Sequence, residues 1–225
     1  MTRTTNARLA GFAFLFYIAV GISSMVLFGK AASGEGIAAK LASIVQHAPQ
    51  VRITVMLTLL MSFSALALGV ALYGITRDED HELAVLALAC RVCEGLLVAI
   101  SLETTVGLLW LATAGAGAGA PDVATANALG AFLLMPGAPI AAIFFAVGST
   151  IFSYLLLRGR MVPVPLAWLG FLASVLLVVA LPLQLAGFLK GLVTSYMVMW
   201  MPMLVFEVVL ALWLLIKGVA APATR

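Results

Sequence analysis

An all-α, polytopic bundle of transmembrane helices follows from three features of these 225 residues. Hydrophobic residues make up 64% of the chain and charged residues 9%, where a soluble domain carries roughly 45–50% and about 25%. The mean hydropathy is +1.19, so the chain cannot furnish a water-facing surface of ordinary polarity. The apolar residues are gathered into six runs, each near the ~20 residues that a helix needs to cross the hydrocarbon of a bilayer.

Arg3 and Arg8 precede an uninterrupted apolar run, 9–28. It is longer than the ~7–15 residues of a signal-peptide core. It is therefore expected to stay in place as the first span, although Ala31-Ala32-Ser33 imitates a cleavage site. Residues 35–47 have the small, amphipathic pattern of a short surface helix ending before Pro49. The second span, 53–75, stops at the charged turn Arg77-Asp78-Glu79-Asp80-His81-Glu82. The third, 83–113, is long and carries Arg91, Glu94 and Glu103. The Ala/Gly run 114–120, closed by Pro121, reads as an external loop, and 124–134 as a short re-entrant or interfacial helix. The fourth span, 139–157, ends at Arg158-Gly159-Arg160. The fifth, 165–188, opens with Pro165, where a missing N–H is harmless. The sixth, 193–216, is closed by Lys217. The whole of 1–225 reads as a single integral membrane domain with short interfacial helices in its external loops.

Basic residues orient the spans. With both termini cytoplasmic, the inner side holds Arg3, Arg8, Arg77, Arg158, Arg160, Lys217 and Arg225, and the outer side Lys30, Lys40, Arg52 and Lys190. Seven against four favours the N-in, C-in arrangement. The small net charge of +3 gives no reason to expect a nucleic-acid partner. The expected partners are the lipid bilayer, a lipid or small-molecule ligand, and a second copy of the chain.

Four ionisable residues inside the spans stand out: Arg91, Glu94, Glu103 and Glu207. A charge near the middle of a spanning helix costs about 2.5–3.5 kcal/mol on insertion scales unless it finds a partner or water. Arg91 and Glu94 are three apart, so they share a helix face. At a rise of 1.5 Å per residue, Glu94 and Glu207 lie roughly 15 Å and 14 Å from the cytoplasmic ends of their helices, at nearly one depth. A planar guanidinium can serve two carboxylates together. An Arg91–Glu94–Glu207 cluster joining the third and sixth spans is therefore expected. Glu103 turns to the opposite side of its helix and shares an outer depth with Gln184 and Tyr196, three residues placed to line the mouth of a pocket among spans three, five and six. The same charges also admit an architectural reading, since buried ion pairs fix helix register at little net gain in stability.

Other side chains point away from enzyme chemistry. Cys90 and Cys93 lie one turn apart within an apolar segment and read as packing thiols. Met197, Met199, Met201 and Met203 fall on different helix faces and read as adaptable packing around Pro202, not as a soft-metal site. His47 and His81, the only two histidines, sit outside the spans, which argues against haem ligation and a histidine-based metal hydrolase. Gly148-Ser149-Thr150 does not complete a nucleophile elbow, and there is no phosphate-binding or dinucleotide loop. No cofactor, metal or catalytic residue is expected.

Ala7-Arg8-Leu9-Ala10-Gly11, continued by an aromatic-rich helix reaching Ala19-Val20-Gly21, resembles the opening of a bacterial membrane family known as a domain of unknown function, number 4386. Leu88-Ala89-Cys90-Arg91-Val92-Cys93-Glu94 resembles that family's arginine-centred segment, and helix count and loop order fit over nearly the whole chain. The resemblance implies a multi-pass protein of the bacterial inner (cytoplasmic) membrane and brings no activity. The favoured expectation is small-molecule or ion binding and transport through a polar pocket holding Arg91, Glu94 and Glu207. A sensor or accessory subunit with architectural charges is the alternative, and a lipid-modifying enzyme ranks third for want of a nucleophile or metal.

Overall fold

The computed structural model describes residues 2–114, 119–135, 137, 139–189 and 193–220, with the backbone alone at 193–197. Among these the secondary structure is helical: α1 (Arg3–Ala31), α2 (Ile37–Gln46), α3 (Ala48–Thr76), α4 (His81–Ile100), α5 (Leu102–Thr113), α6 (Val123–Leu133), α7 (Ile140–Arg158), α8 (Val164–Leu185) and α9 (Val193–Ile216). Six stretches are long and apolar enough to cross a membrane: α1, α3, α4 with α5, α7, α8, and Val198–Ile216 of α9. Between 28% and 44% of each apolar window is buried. The outward remainder carries Phe12, Met25, Phe63 and Leu172 at 59–65% exposure. Helices apolar on both faces belong in lipid. The protein is a multi-pass membrane protein.

The expected elements are present, with shifted ends. The first helix begins at Arg3 and runs on to Ala31, and α3 begins at Ala48. Pro49 thus sits inside the first turn of α3, where its missing N–H leaves no orphan. The long third run is two helices, because Ser101 turns its hydroxyl back onto the Val98 carbonyl (2.6 Å). Beyond that turn, the Thr104 N–H reaches only as far as the Ser101 carbonyl. The fifth span stops at Leu185, short of 188. Gly187 adopts φ +81°, and the N–H groups of Phe188 and Gly187 fold back onto the Leu183 and Gln184 carbonyls. That closure satisfies two terminal acceptors and is cheapest for glycine.

The chain divides into two compact units, to both of which α1, α3 and α4 contribute. The first comprises Met1–Tyr17, Ser62–Leu97 and Ala138–Arg225. Its core runs from Ala7, Ala10 and Phe14 through Leu68, Phe145 and Leu177 to Phe206, Leu210 and Leu214. At one end Arg3 donates to the Ile75 carbonyl (2.9 Å) and reaches Met161 Sδ, and the Ala220 N–H donates to the Met161 carbonyl. These bonds bring the start of α1 together with the ends of α3, α7 and α9. The second unit comprises Ile18–Met61 and Val98–Gly137, where α2, α5 and α6 pack around Ala31, Ile44, Val51 and Leu108.

Candidate functional site

Burial of charge within the first unit defines the site. Arg91 and Glu94, on α4, are each 1% exposed, and Glu207, on α9, is 6% exposed. Three residues apart on one helix, Arg91 Nη1 and Glu94 Oε2 meet at 2.8 Å. The approach is close but poorly aligned, and the guanidinium nitrogens make no hydrogen bond among the described residues. Their other neighbours are ring faces: Arg91 Cζ lies 5.7 Å from the centroid of Tyr17 on α1 and 5.1 Å from that of Phe145 on α7. Such contacts are worth ~2 kcal/mol when desolvated. Tyr17 Oη also donates to Glu94 Oε1 (2.9 Å), so that carboxylate is held from two sides.

Two glycines let the helices close on the arginine. A Cβ at Gly69 on α3 would stand 2.9 Å from Arg91 Cβ, and one at Gly148 on α7 would meet Cys90 Cβ at 3.1 Å and Arg91 Cδ at 3.5 Å. Cys90 is correspondingly buried, as a packing thiol would be.

Glu207 is placed differently. It lies within electrostatic reach of Arg91 and Glu94 but forms no ion pair within 4 Å, and its buried Oε1 makes no hydrogen bond among the described residues. The three groups therefore occupy one buried region, with the arginine committed to Glu94 and not shared between two carboxylates. The same unit holds a small cavity of about 10 Å³, lined by Phe14, Leu72, Ser149, Phe152, Ser153, Leu156, Phe206 and Leu210 and by none of the three charged groups. Its volume is near that of a single water site. Among the described residues, no three His, Cys, Asp or Glu side chains converge to hold a metal.

Glu103 is exposed in the first turn of α5 within the second unit, and Gln184 is exposed in the last turn of α8 within the first. The side chain of Tyr196 lies outside the described residues. Around Arg91 the walls come from α1, α3 and α7 in addition to α9. The fifth span, which the sequence suggested as a wall, supplies no side chain to these contacts. Tyr17 and Phe145 were missed from sequence, although Tyr17 is the only hydroxyl-tipped aromatic in its run.

A family model described as a domain of unknown function (DUF4386) matches residues 9–218. Neither a curated protein nor a solved structure matches the chain.

Proposed function

The chain belongs to the family of the domain of unknown function 4386, and since that membership carries no activity, we propose on the site's chemistry that it is a proton-coupled ion or small-molecule transporter of the bacterial inner membrane, with Glu207 as its proton site. One observation carries the reading. A single guanidinium accompanies two carboxylates in the same buried region, and the arginine is committed to Glu94. One negative charge is left over, on a carboxylate with a buried oxygen that makes no hydrogen bond among the described residues. Carboxylates at membrane depth are typical of proton relays.

A proton neutralises that charge more economically than a metal cation. Hard cations such as calcium and magnesium collect six or more oxygen ligands, and among the described residues no three His, Cys, Asp or Glu side chains converge at Glu207. A proton needs one lone pair. Arg91 then acts as fixed counter-charge, Tyr17 holds Glu94, and Glu207 alternates between carboxylate and carboxylic acid. Binding and transport, not catalysis, is the activity this supports. The basic bias, seven inner residues against four outer ones, favours both termini in the cytoplasm.

The test uses protein reconstituted in phosphatidylethanolamine/phosphatidylglycerol vesicles with a pH-sensitive dye inside. An imposed pH gradient is expected to collapse with wild-type protein and to persist with Glu207→Gln, while that variant keeps its helical circular dichroism. Undiminished flux in Glu207→Gln would overturn the proposal. The close packing of Arg91 against Tyr17, Phe145, Gly69 and Gly148 favours a second reading, in which the charges only hold helices in register for a partner. That reading expects an Arg91→Met/Glu94→Leu/Glu207→Leu variant to stay folded and to change partner recovery alone.

A further inference from the structure

Among the described residues, Arg160 is the one residue other than glycine that holds a left-handed backbone conformation (φ +48°). It follows Gly159 at the end of α7, where its N–H donates to the Leu157 carbonyl (3.1 Å) and the Met161 N–H donates to the Leu156 carbonyl (3.0 Å). That pair of bonds closes a helix through a position that glycine fills at least cost. Just past α8 and α9 the corresponding residues are Gly187 (φ +81°) and Gly218 (φ +71°). An arginine in this place is strained backbone carried for the sake of a side chain, and such outliers point to function.

That side chain has no acid to pair with. Two residues earlier, Arg158 spans Glu79 and Asp80 of the α3–α4 turn at 3.1 Å each, and Arg77 leans on Asp78 (3.8 Å). Arg160 is exposed, and among the described residues its side chain makes neither an ion pair nor a hydrogen bond; the same holds for Lys217, just past the end of α9. The backbone brings these two together, because the Ala220 N–H donates to the carbonyl of Met161, the neighbour of Arg160 (3.0 Å). Arg3 adds a third cation, with its Nη2 3.5 Å from Met161 Sδ. Apolar surface adjoins the patch: Ile216 is 74% exposed, Leu212 one turn before it 44%, and Val164 at the start of α8 45%.

The geometry points to a binding site for an anionic phospholipid, its phosphate held by Arg160 and Lys217 beside Arg3, in the leaflet at that end of the first unit. Guanidinium and ammonium groups donate charge-assisted hydrogen bonds to phosphate oxygens, and basic pockets between spanning helices bind anionic headgroups. The outward Ile216, Leu212 and Val164 offer the acyl chains a surface, which a free phosphate would not use. Acids and bases at this end are sorted: the acids hold Arg77 and Arg158, and Arg160 and Lys217 stay open to the lipid. The inference stands apart from the proton site at Glu207.

The experiment titrates the full chain in dodecyl maltoside with phosphatidylglycerol, or with phosphatidylcholine of the same chains, and reads bound lipid by native mass spectrometry. Wild-type protein is expected to bind phosphatidylglycerol tighter by about tenfold or more. Arg160→Gly and Lys217→Gln are each expected to weaken that binding about fivefold and to leave phosphatidylcholine unchanged. Arg77→Gln, which removes a cation already beside Asp78, is expected to change neither. Equal affinity for the two lipids, or wild-type phosphatidylglycerol affinity in Arg160→Gly, would overturn the inference. Glycerophosphorylglycerol, the headgroup without chains, binding as tightly as phosphatidylglycerol would overturn the lipid as occupant. Thermal unfolding without added lipid separates ligand binding from architecture. Arg160→Gly is expected to raise the midpoint by relieving the left-handed strain, and a lowered midpoint would show that Arg160 serves the fold and overturn the inference. Should Lys217→Gln fail to fold, Arg160→Gly decides alone.

Discussion

Arg91 exchanges its water shell for two aromatic faces and one carboxylate, so the cost of removing its neighbours is set by what remains buried. Tyr17→Phe deletes the hydroxyl held at 2.9 Å from Glu94 and should lower stability by about 1–2 kcal/mol, measured by reversible unfolding in mixed micelles. Arg91→Met is expected to be harsher, on the order of 3–5 kcal/mol, because it leaves two buried carboxylates without a cation. Arg91→Met combined with Glu94→Leu should recover most of that loss, since no unpaired member of the ion pair remains. Additive losses in the double variant would contradict the coupling. The pair could be found from sequence because bilayer cost singles out charges and the spacing of three puts them on one face. Glu207 could be placed at the same depth by counting residues. Its lack of a direct bond to Arg91 could not, because that depends on how α4 and α9 are rotated about their axes. Tyr17 escaped notice because an aromatic ring in an apolar run looks like packing until its hydroxyl has a partner.

At the scale of helices, small residues decide how closely the elements approach. A Cβ at Gly11 of α1 would stand 2.6 Å from the Ala211 carbonyl oxygen of α9, and backbone has little freedom to yield. Gly11→Ala should therefore part the helix bearing Tyr17 from the helix bearing Glu207, at about 1–3 kcal/mol. An unchanged unfolding midpoint would contradict that contact. Away from the spans, Asp122 caps α6 by accepting the Thr125 N–H (2.9 Å) and hydroxyl (3.0 Å). Those two bonds, the backbone one foremost, hold its carboxyl below the usual range. A lowered folded value makes the cap fully effective above the ordinary aspartate pKa of about 3.9 and loses it as pH falls through the folded value. Amide protection in α6, taken relative to the intrinsic exchange rate at each pH, should fall over that acidic window in wild type, and Asp122→Ala should show the lower protection throughout. The helices were readable in the apolar runs because each span is apolar on every face. Their ends were less so: the break at Ser101 and the stop at Gly187 depend on local back-bonding within stretches whose hydropathy does not change.

For the whole molecule, the span count, the family match and the outward apolar surface converge on a multi-pass membrane protein. The N-in, C-in orientation proposed from charge bias has its own test. In a background with Cys90 and Cys93 replaced by serine, Ser33→Cys is expected to react with an impermeant maleimide from outside the cell. Asp78→Cys should react only once the membrane is opened, and the reverse pattern would invert the assignment. The central claim, that Glu207 takes up the proton balancing an otherwise uneven set of buried charges, is tested most directly at equilibrium. Infrared difference spectra between acidic and alkaline pH are expected to contain a carboxylic acid C=O band that vanishes in Glu207→Gln and persists in Glu103→Gln. A spectrum unaltered by Glu207→Gln would contradict it.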